Sequence, residues 1–121
     1  EDLARYKHKR PSDLEWWPRT FPGDNYATAR ERAGLSGMFN HSRLDGKRPS
    51  CTIPADLGGV PNHWSEPRKL TLQEYKRISS FPDDYICKTV NLGKYLMGMS
   101  VPPKMMEVVA RAVASQWLSK T

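Results

Sequence analysis

Two thiols, three imidazoles and a pair of adjacent carboxylates are the side chains here that could act as nucleophile, base or metal ligand. Their placement supports none of these roles. Cys51 follows Ser50 and Cys87 follows Ile86, and two cysteines are too few for a disulfide framework. His8, His41 and His63 are scattered and share no metal-ligand spacing with each other or with the cysteines. Asp83 and Asp84 follow Phe81-Pro82, where neighbouring carboxylates make a turn rather than an acid/base pair. What remains is the chemistry of contact: Arg and Lys, hydroxyls, and glycines that let a backbone come close to something else.

Composition narrows the class. The chain has 121 residues, 38% of them hydrophobic, with 10 prolines and 8 glycines, so one loop-rich domain is expected. Its net charge of +6 is evenly spread. Residues 1–48 hold ten Lys/Arg against seven Asp/Glu, and residues 49–121 hold nine against six. Spread positive charge suits a surface facing phosphate as well as it suits solubility. No stretch approaches the roughly 20 apolar residues of a membrane span, and the charged start has no signal-peptide core. A cytoplasmic protein with reduced thiols and no membrane partner is expected.

The elements that must position these residues are read from capping and periodicity. Ser12-Asp-Leu-Glu15 has capping-box form and predicts a short helix through Trp16 and Trp17, stopped by Pro18. Asp24 is the expected cap of a second helix over residues 26–33, ended by Gly34. Residues 36–66 read as brief strands and turns, with Asp45-Gly46 and Gly58-Gly59 as breaks. Thr71-Leu-Gln-Glu74 is a second capping box. It opens a helix whose inner face is Leu72, Tyr75 and Ile78, with Lys76 and Arg77 outside, closed by Phe81-Pro82-Asp83-Asp84. Pro102-Pro103 opens a last helix with an apolar stripe of Met105, Val108, Val109, Ala112, Val113 and Trp117. Such a stripe is a packing face. Trp16 and Trp17 could stack bases, but packing in a core or interface is the favoured reading.

Three segments in series carry a family signal. Arg68-Lys-Leu-Thr-Leu-Gln-Glu-Tyr-Lys-Arg-Ile-Ser-Ser-Phe-Pro-Asp-Asp-Tyr85 resembles the ninth motif of DNA cytosine-5 methyltransferases. Gly98-Met-Ser-Val-Pro-Pro103, thirteen residues on, is similar to their tenth motif, in which Asn usually stands where Met99 does. Upstream, Arg43-Leu44, Arg48-Pro-Ser-Cys-Thr-Ile53 and Gly58-Gly59 resemble the end of the target-recognition region. The resemblance covers about residues 36–117. The family's Pro-Cys nucleophile, Phe-x-Gly-x-Gly cofactor loop, Glu-Asn-Val and Gln-x-Arg-x-Arg are absent from the chain.

The resemblance implies an α+β fold. A small irregular β target-recognition part (1–66) would precede the ninth-motif helix and turn (67–96). The tenth-motif cofactor loop and C-terminal helix (97–121) would complete a Rossmann-like, S-adenosylmethionine-dependent methyltransferase domain of the restriction-modification type. DNA contacts fall by resemblance to Thr52, Gly58 and Gly59, with Arg43, Lys47 and Arg48 supplying charge for phosphates of double-stranded DNA. Gly98, Met99, Ser100 and Val101 would form part of the S-adenosylmethionine pocket, Ser100 donating to the methionine carboxylate. Arg68, Thr71 and Glu74 are structural. The chemistry implied is methyl transfer to C5 of a flipped-out cytosine. The segment alone is expected to be inactive and to need a missing catalytic region or a large subunit. The rival readings are the small subunit of a split enzyme, a stand-alone DNA-binding module, and a fragment of the related transfer-RNA cytosine methyltransferase. The last helix would pack on the missing part, or self-associate. A bacterial or phage origin, with nucleoid association through DNA, is the expected setting.

Overall fold

The structure is a computed structural model that describes residues 2–36, 41–55 and 61–120. Gly58 and Gly59 lie outside the described residues. The chain forms helices α1 (Pro11–Trp16) and α2 (Tyr26–Arg32), strands β1 (Ser42–Arg43) and β2 (Pro61–Asn62), then helices α3 (Leu72–Ile78), α4 (Val90–Met99) and α5 (Pro103–Gln116). Short 3-10 turns flank them at Leu3–Tyr6 and Leu118–Lys120. The α+β expectation holds, in a strongly helical form.

The caps differ from the expectation in two places. Helix α1 starts at Pro11 with Arg10 at its cap, so Ser12 is inside the helix. Proline's fixed φ and missing N–H suit the first helical position, which pulls the start forward by two residues, from Asp13 to Pro11. Asn25, not Asp24, caps α2: its side-chain oxygen accepts from the Thr28 N–H at 2.8 Å. Asp24 instead pairs with Arg32 at the far end of that helix, also at 2.8 Å. Gly34, at φ +76°, ends the segment in the left-handed region that glycine enters without strain.

Among the described residues the β structure is a two-stranded sheet of two residues per strand, extended by isolated bridges. β1 and β2 pair in parallel, Ser42 with Pro61 and Arg43 with Asn62. Isolated antiparallel bridges continue the line from Asn25 to Ser42, from Asn62 to Lys69, and from Lys7 to Arg68. Short β-prone runs cut by Pro and Gly can sustain no longer ladder.

Two apolar clusters lie on either side of this line. Trp16, Trp17, Tyr26 and Ala29 form one, so both tryptophans are packing residues. Leu44, Leu70, Tyr75 and Met97 form the other, with Ile53, Leu72, Ile78, Phe81 and Cys87 against it. The indole N–H of Trp17 donates to the His63 carbonyl at 3.1 Å and ties the clusters together.

Helix α4 was not foreseen. Thr89 caps it, accepting from the Leu92 N–H at 3.1 Å. Its two glycines, poor helix formers, hid it. Close approach demands the second: a Cβ on Gly98 would run into the Pro54 carbonyl oxygen and the Ala55 backbone, whereas one on Gly93 would meet the tip of the Leu72 side chain at 2.7 Å, which can shift. The expected boundary at residue 96/97 therefore falls inside a helix, and Gly98 and Met99 belong to α4 rather than to a loop. No helix among the described residues is long and apolar enough to cross a membrane.

Candidate nucleic-acid interface

The ninth-motif segment holds the site together. Thr71 and Glu74 make the full capping box: Glu74 N–H donates to Thr71 Oγ1 at 3.2 Å, and Thr71 N–H donates to Glu74 Oε2 at 2.8 Å. Arg68, buried, donates to both Glu74 oxygens at 2.9 and 2.8 Å, to the Lys69 carbonyl at 3.1 Å, and to Glu66. These bonds hold the Arg68 guanidinium more firmly protonated than usual, Glu74 contributing most and Glu66 next. Burial works to raise the Glu74 carboxyl, but the Arg68 and Thr71 bonds together outweigh it and hold the group below its ordinary range. A bidentate pair with this geometry fixes the start of α3 against the segment after β2 that carries His63.

His63 passes that order to its neighbour. Its Nδ1 accepts from the backbone N–H groups of Ser65 (3.2 Å) and Glu66 (3.0 Å), so the ring is neutral with its other nitrogen protonated. Burial, reinforced by Arg68, lowers its pKa. Trp64 stacks on this imidazole with ring centres 3.8 Å apart and planes 24° from parallel.

The basic candidates divide. Arg43 turns inward: Nε donates to the Trp64 carbonyl at 2.8 Å and Nη1 to the Thr20 carbonyl at 2.9 Å. Its guanidinium carbon sits 4.0 Å from the centre of the Trp17 ring. Two of the five donors of that fork are used on the fold itself, so Arg43 braces the recognition part. Lys47 and Arg48 are exposed on a turn organised by Asp45, which accepts from the Lys47 N–H at 2.9 Å and pairs with Arg48 Nε at 3.4 Å. Thr52 is exposed on the following segment. Cys51 Sγ lies 3.2 Å from Ser42 Oγ, on the exposed side of β1. Lys76, expected outside α3, is buried and donates from Nζ to the Asp83 carbonyl at 3.3 Å. A long lysine stem covers apolar surface while its head finds an acceptor. Arg77 is exposed and makes two bonds to Asp83.

The tenth-motif residues meet the recognition part through Gly98, whose bare Cα face lies on the backbone of Pro54 and Ala55, just after Thr52. That space is filled by protein, so Gly98 touches no cofactor from this side. Ser100 caps the end of α4, and its hydroxyl donates to the Leu96 carbonyl. A hydroxyl has one proton, so Ser100 offers an outside ligand acceptor capacity rather than the donor expected from sequence. Met99 and Val101 are open, at 64% and 51% exposure. Residues 99–101 thus lie open to solvent at the junction of α4 and α5. Among the described residues, no group of three or more His, Cys, Asp or Glu could hold a metal ion.

Helix α5 buries none of its residues. Its N-terminus is tied down by the Lys104 N–H donating to Ser80 Oγ at 3.0 Å, but its stripe faces outward.

Residues 6–115 match the family model of the C-5 cytosine-specific DNA methylases. The chain belongs to that family. It is 40% identical over 77 residues to the type II methyltransferase M.BbvI of Brevibacillus brevis, covering 60% of this chain and 20% of the relative. Over 85 residues it is 34% identical to M.NgoFVII of Neisseria gonorrhoeae, covering 65% and 22%. Over 115 residues it is 30% identical to M.SacI of Streptomyces achromogenes, covering 78% and 30%. No solved structure matches. The chain of this methyltransferase family member therefore spans between about a fifth and a third of the length of these relatives. Trp64 was missed by the sequence reading; a lone Trp between a loop and a motif carries no spacing signal, and only its packing reveals it.

Proposed function

We propose that this chain is the target-recognition and cofactor-wall segment of a DNA cytosine-5 methyltransferase. The whole enzyme transfers the methyl group of S-adenosylmethionine to C5 of a cytosine flipped out of double-stranded DNA. S-adenosylmethionine supplies the electrophilic methyl group; this chain's part is to hold DNA and to close one side of the pocket. Lys47 and Arg48 contact phosphates, Thr52 bonds the backbone near the extruded nucleotide, and Arg43 braces the turn from behind. Residues 99–101 line the cofactor, with Met99 offering an apolar contact where the family usually has an amide. Arg68 and Glu74 keep both surfaces in register.

The observation that carries the reading is the seat of Gly98 on Pro54 and Ala55, which couples the tenth-motif segment to the segment carrying Thr52. A pure DNA-binding module has no need to join these two, whereas an enzyme that must bring DNA and cofactor together does. The catalytic cysteine and the glycine loop would come from the missing region, which also covers α5. The test is incubation with labelled S-adenosylmethionine and mixed-sequence duplex DNA. The chain alone should give background counts. The chain mixed with a polypeptide carrying the Pro-Cys and Phe-x-Gly-x-Gly motifs should yield 5-methylcytosine. Label in cytosine from the pure chain would overturn the proposal.

A further inference from the structure

Beside the turn that carries Lys47 and Arg48 lies an open groove of about 380 Å³, lined by Asp45, Gly46, Arg48, Ser50, Trp64 and Ile78 among others. Its wall is an indole. Trp64 is 39% exposed, a large aromatic left facing solvent on a polar stretch of chain. It is also rigidly held. One face rests on the His63 ring, and Gly46 lies so close over the pyrrole part that a Cβ there would come within 3.1 Å of Cδ1 and Nε1. Arg43 holds the backbone carbonyl of the same residue. An exposed aromatic held by such contacts is a preorganised stacking surface.

We propose that this groove is a nucleobase-stacking site, in which one unstacked base of the bound DNA lies against the part of the Trp64 indole that lines the groove while its flanking phosphates meet Lys47 and Arg48. The inference rests on the DNA-binding reading above and adds a ligand position to it. Size and charge select the occupant. The volume is at the low end of small-ligand pockets, too small for a helix or strand of a protein partner. The lip carries two exposed cations, and a base stacked on an aromatic beside basic side chains is the recurrent arrangement for unpaired nucleic acid. Asp45, the acidic group in the groove, is already paired with Arg48 and with the Lys47 N–H, so it opposes phosphate weakly. The seat takes any base, because every base offers a π-face.

The experiment uses the full 121-residue chain and mixed-sequence oligonucleotides carrying one 2-aminopurine, either single-stranded or unpaired within a duplex. Stacking on Trp64 should quench the probe. Trp64→Ala should abolish the quenching and weaken binding roughly 5- to 150-fold, and Trp64→Phe should retain part of both. Arg48→Ala should lower the slope of log affinity against log salt by about 0.9 while leaving the quenching at saturation intact. If Trp64→Ala melts early, Trp64→Phe carries the comparison. DNA binding with unchanged quenching and affinity in Trp64→Ala and Trp64→Phe would overturn the stacking site alone. No DNA binding by the unmodified chain at low salt would overturn this site and the DNA-contact reading together.

Discussion

Helices α4 and α5 follow each other across Ser100, and each carries an apolar face, but only α4 finds a surface for it within the chain. α4 buries Gly93, Lys94 and Met97. Met97 enters the second cluster, and the Lys94 ammonium donates to the Leu70 carbonyl at 2.9 Å. α5 buries nothing, and Val108 and Trp117 stand 68% and 71% exposed. The outer side of α4, with Leu92, Tyr95, Leu96 and Met99, is exposed and apolar too. The sequence signals run the other way: α5 has the clean stripe and proline start, and α4 has two glycines. Periodicity reports that a face needs a partner. It says nothing about whether the partner lies in the same chain.

The largest effect should fall on the packed side of that comparison. Leu70 is fully buried between α3 and α4, so Leu70→Ala should cost about 2–5 kcal/mol in denaturant titration, by lost transfer energy plus a cavity. A cost below 1 kcal/mol would mean that the second cluster is loosely formed. Next comes Gly98→Ala. Alanine is the better helix former, but its Cβ would collide with the Pro54 and Ala55 backbone, which cannot give way as a side-chain tip can. Overpacking of this kind should cost about 1–3 kcal/mol. A stabilised variant would show that α4 does not seat there.

The same two positions show where the sequence was legible. The Thr71–Glu74 box and the Leu72, Tyr75 and Ile78 face were readable, because capping and periodicity are local. Residues 42–43 and 61–62 could be foreseen as short β segments, but not their parallel pairing, which is a long-range fact. Arg43 illustrates the limit for the site. Its type suits phosphate, and only its distances to the Trp64 and Thr20 carbonyls reveal that two of its donors are used internally. Helix α4 was hidden because propensity penalises glycine, whereas close packing requires it.

A pH titration tests the packed region through its histidines. His8, His41 and His63 all have pKa values below 6.5, in each case chiefly because burial disfavours the cation. Asp13 pulls His8 the other way, but its Oδ2 is 3.7 Å from Nδ1, and burial wins. In the folded chain these rings stay neutral at a pH where the unfolded chain takes up protons. Stability is therefore full above about pH 6.5 and falls as pH drops from there through the lowered folded values. Glu74, also lowered, adds a further loss of the same sign in stronger acid, below 4.5. The melting temperature should be level from pH 7 to 8 and decline between 6.5 and 5. His63→Gln should shallow that decline. A melting temperature that rises on acidification from 7 to 5 would contradict the buried, neutral assignment.

The smallest effect is the most informative about α5. Val109→Ala removes two methyl groups from a helix face that, in this chain, already faces solvent. The transfer term is then nearly absent, and alanine's higher helix propensity offsets what little remains. In the 121-residue chain the change should stay within about 0.5 kcal/mol of the parent. The same substitution should behave differently once the polypeptide bearing the catalytic motifs is added. A covered Val109 should cost about 1 kcal/mol or more, seen as weaker association between the two. Sedimentation of the chain alone separates the remaining case. If it dimerises through α5, Val109→Ala should shift the monomer–dimer equilibrium at once, without the second polypeptide. If the substitution costs more than 1.5 kcal/mol in a strictly monomeric chain, α5 must fold back onto residues 1–97. A self-sufficient DNA-binding module would then gain over a segment awaiting the rest of its enzyme.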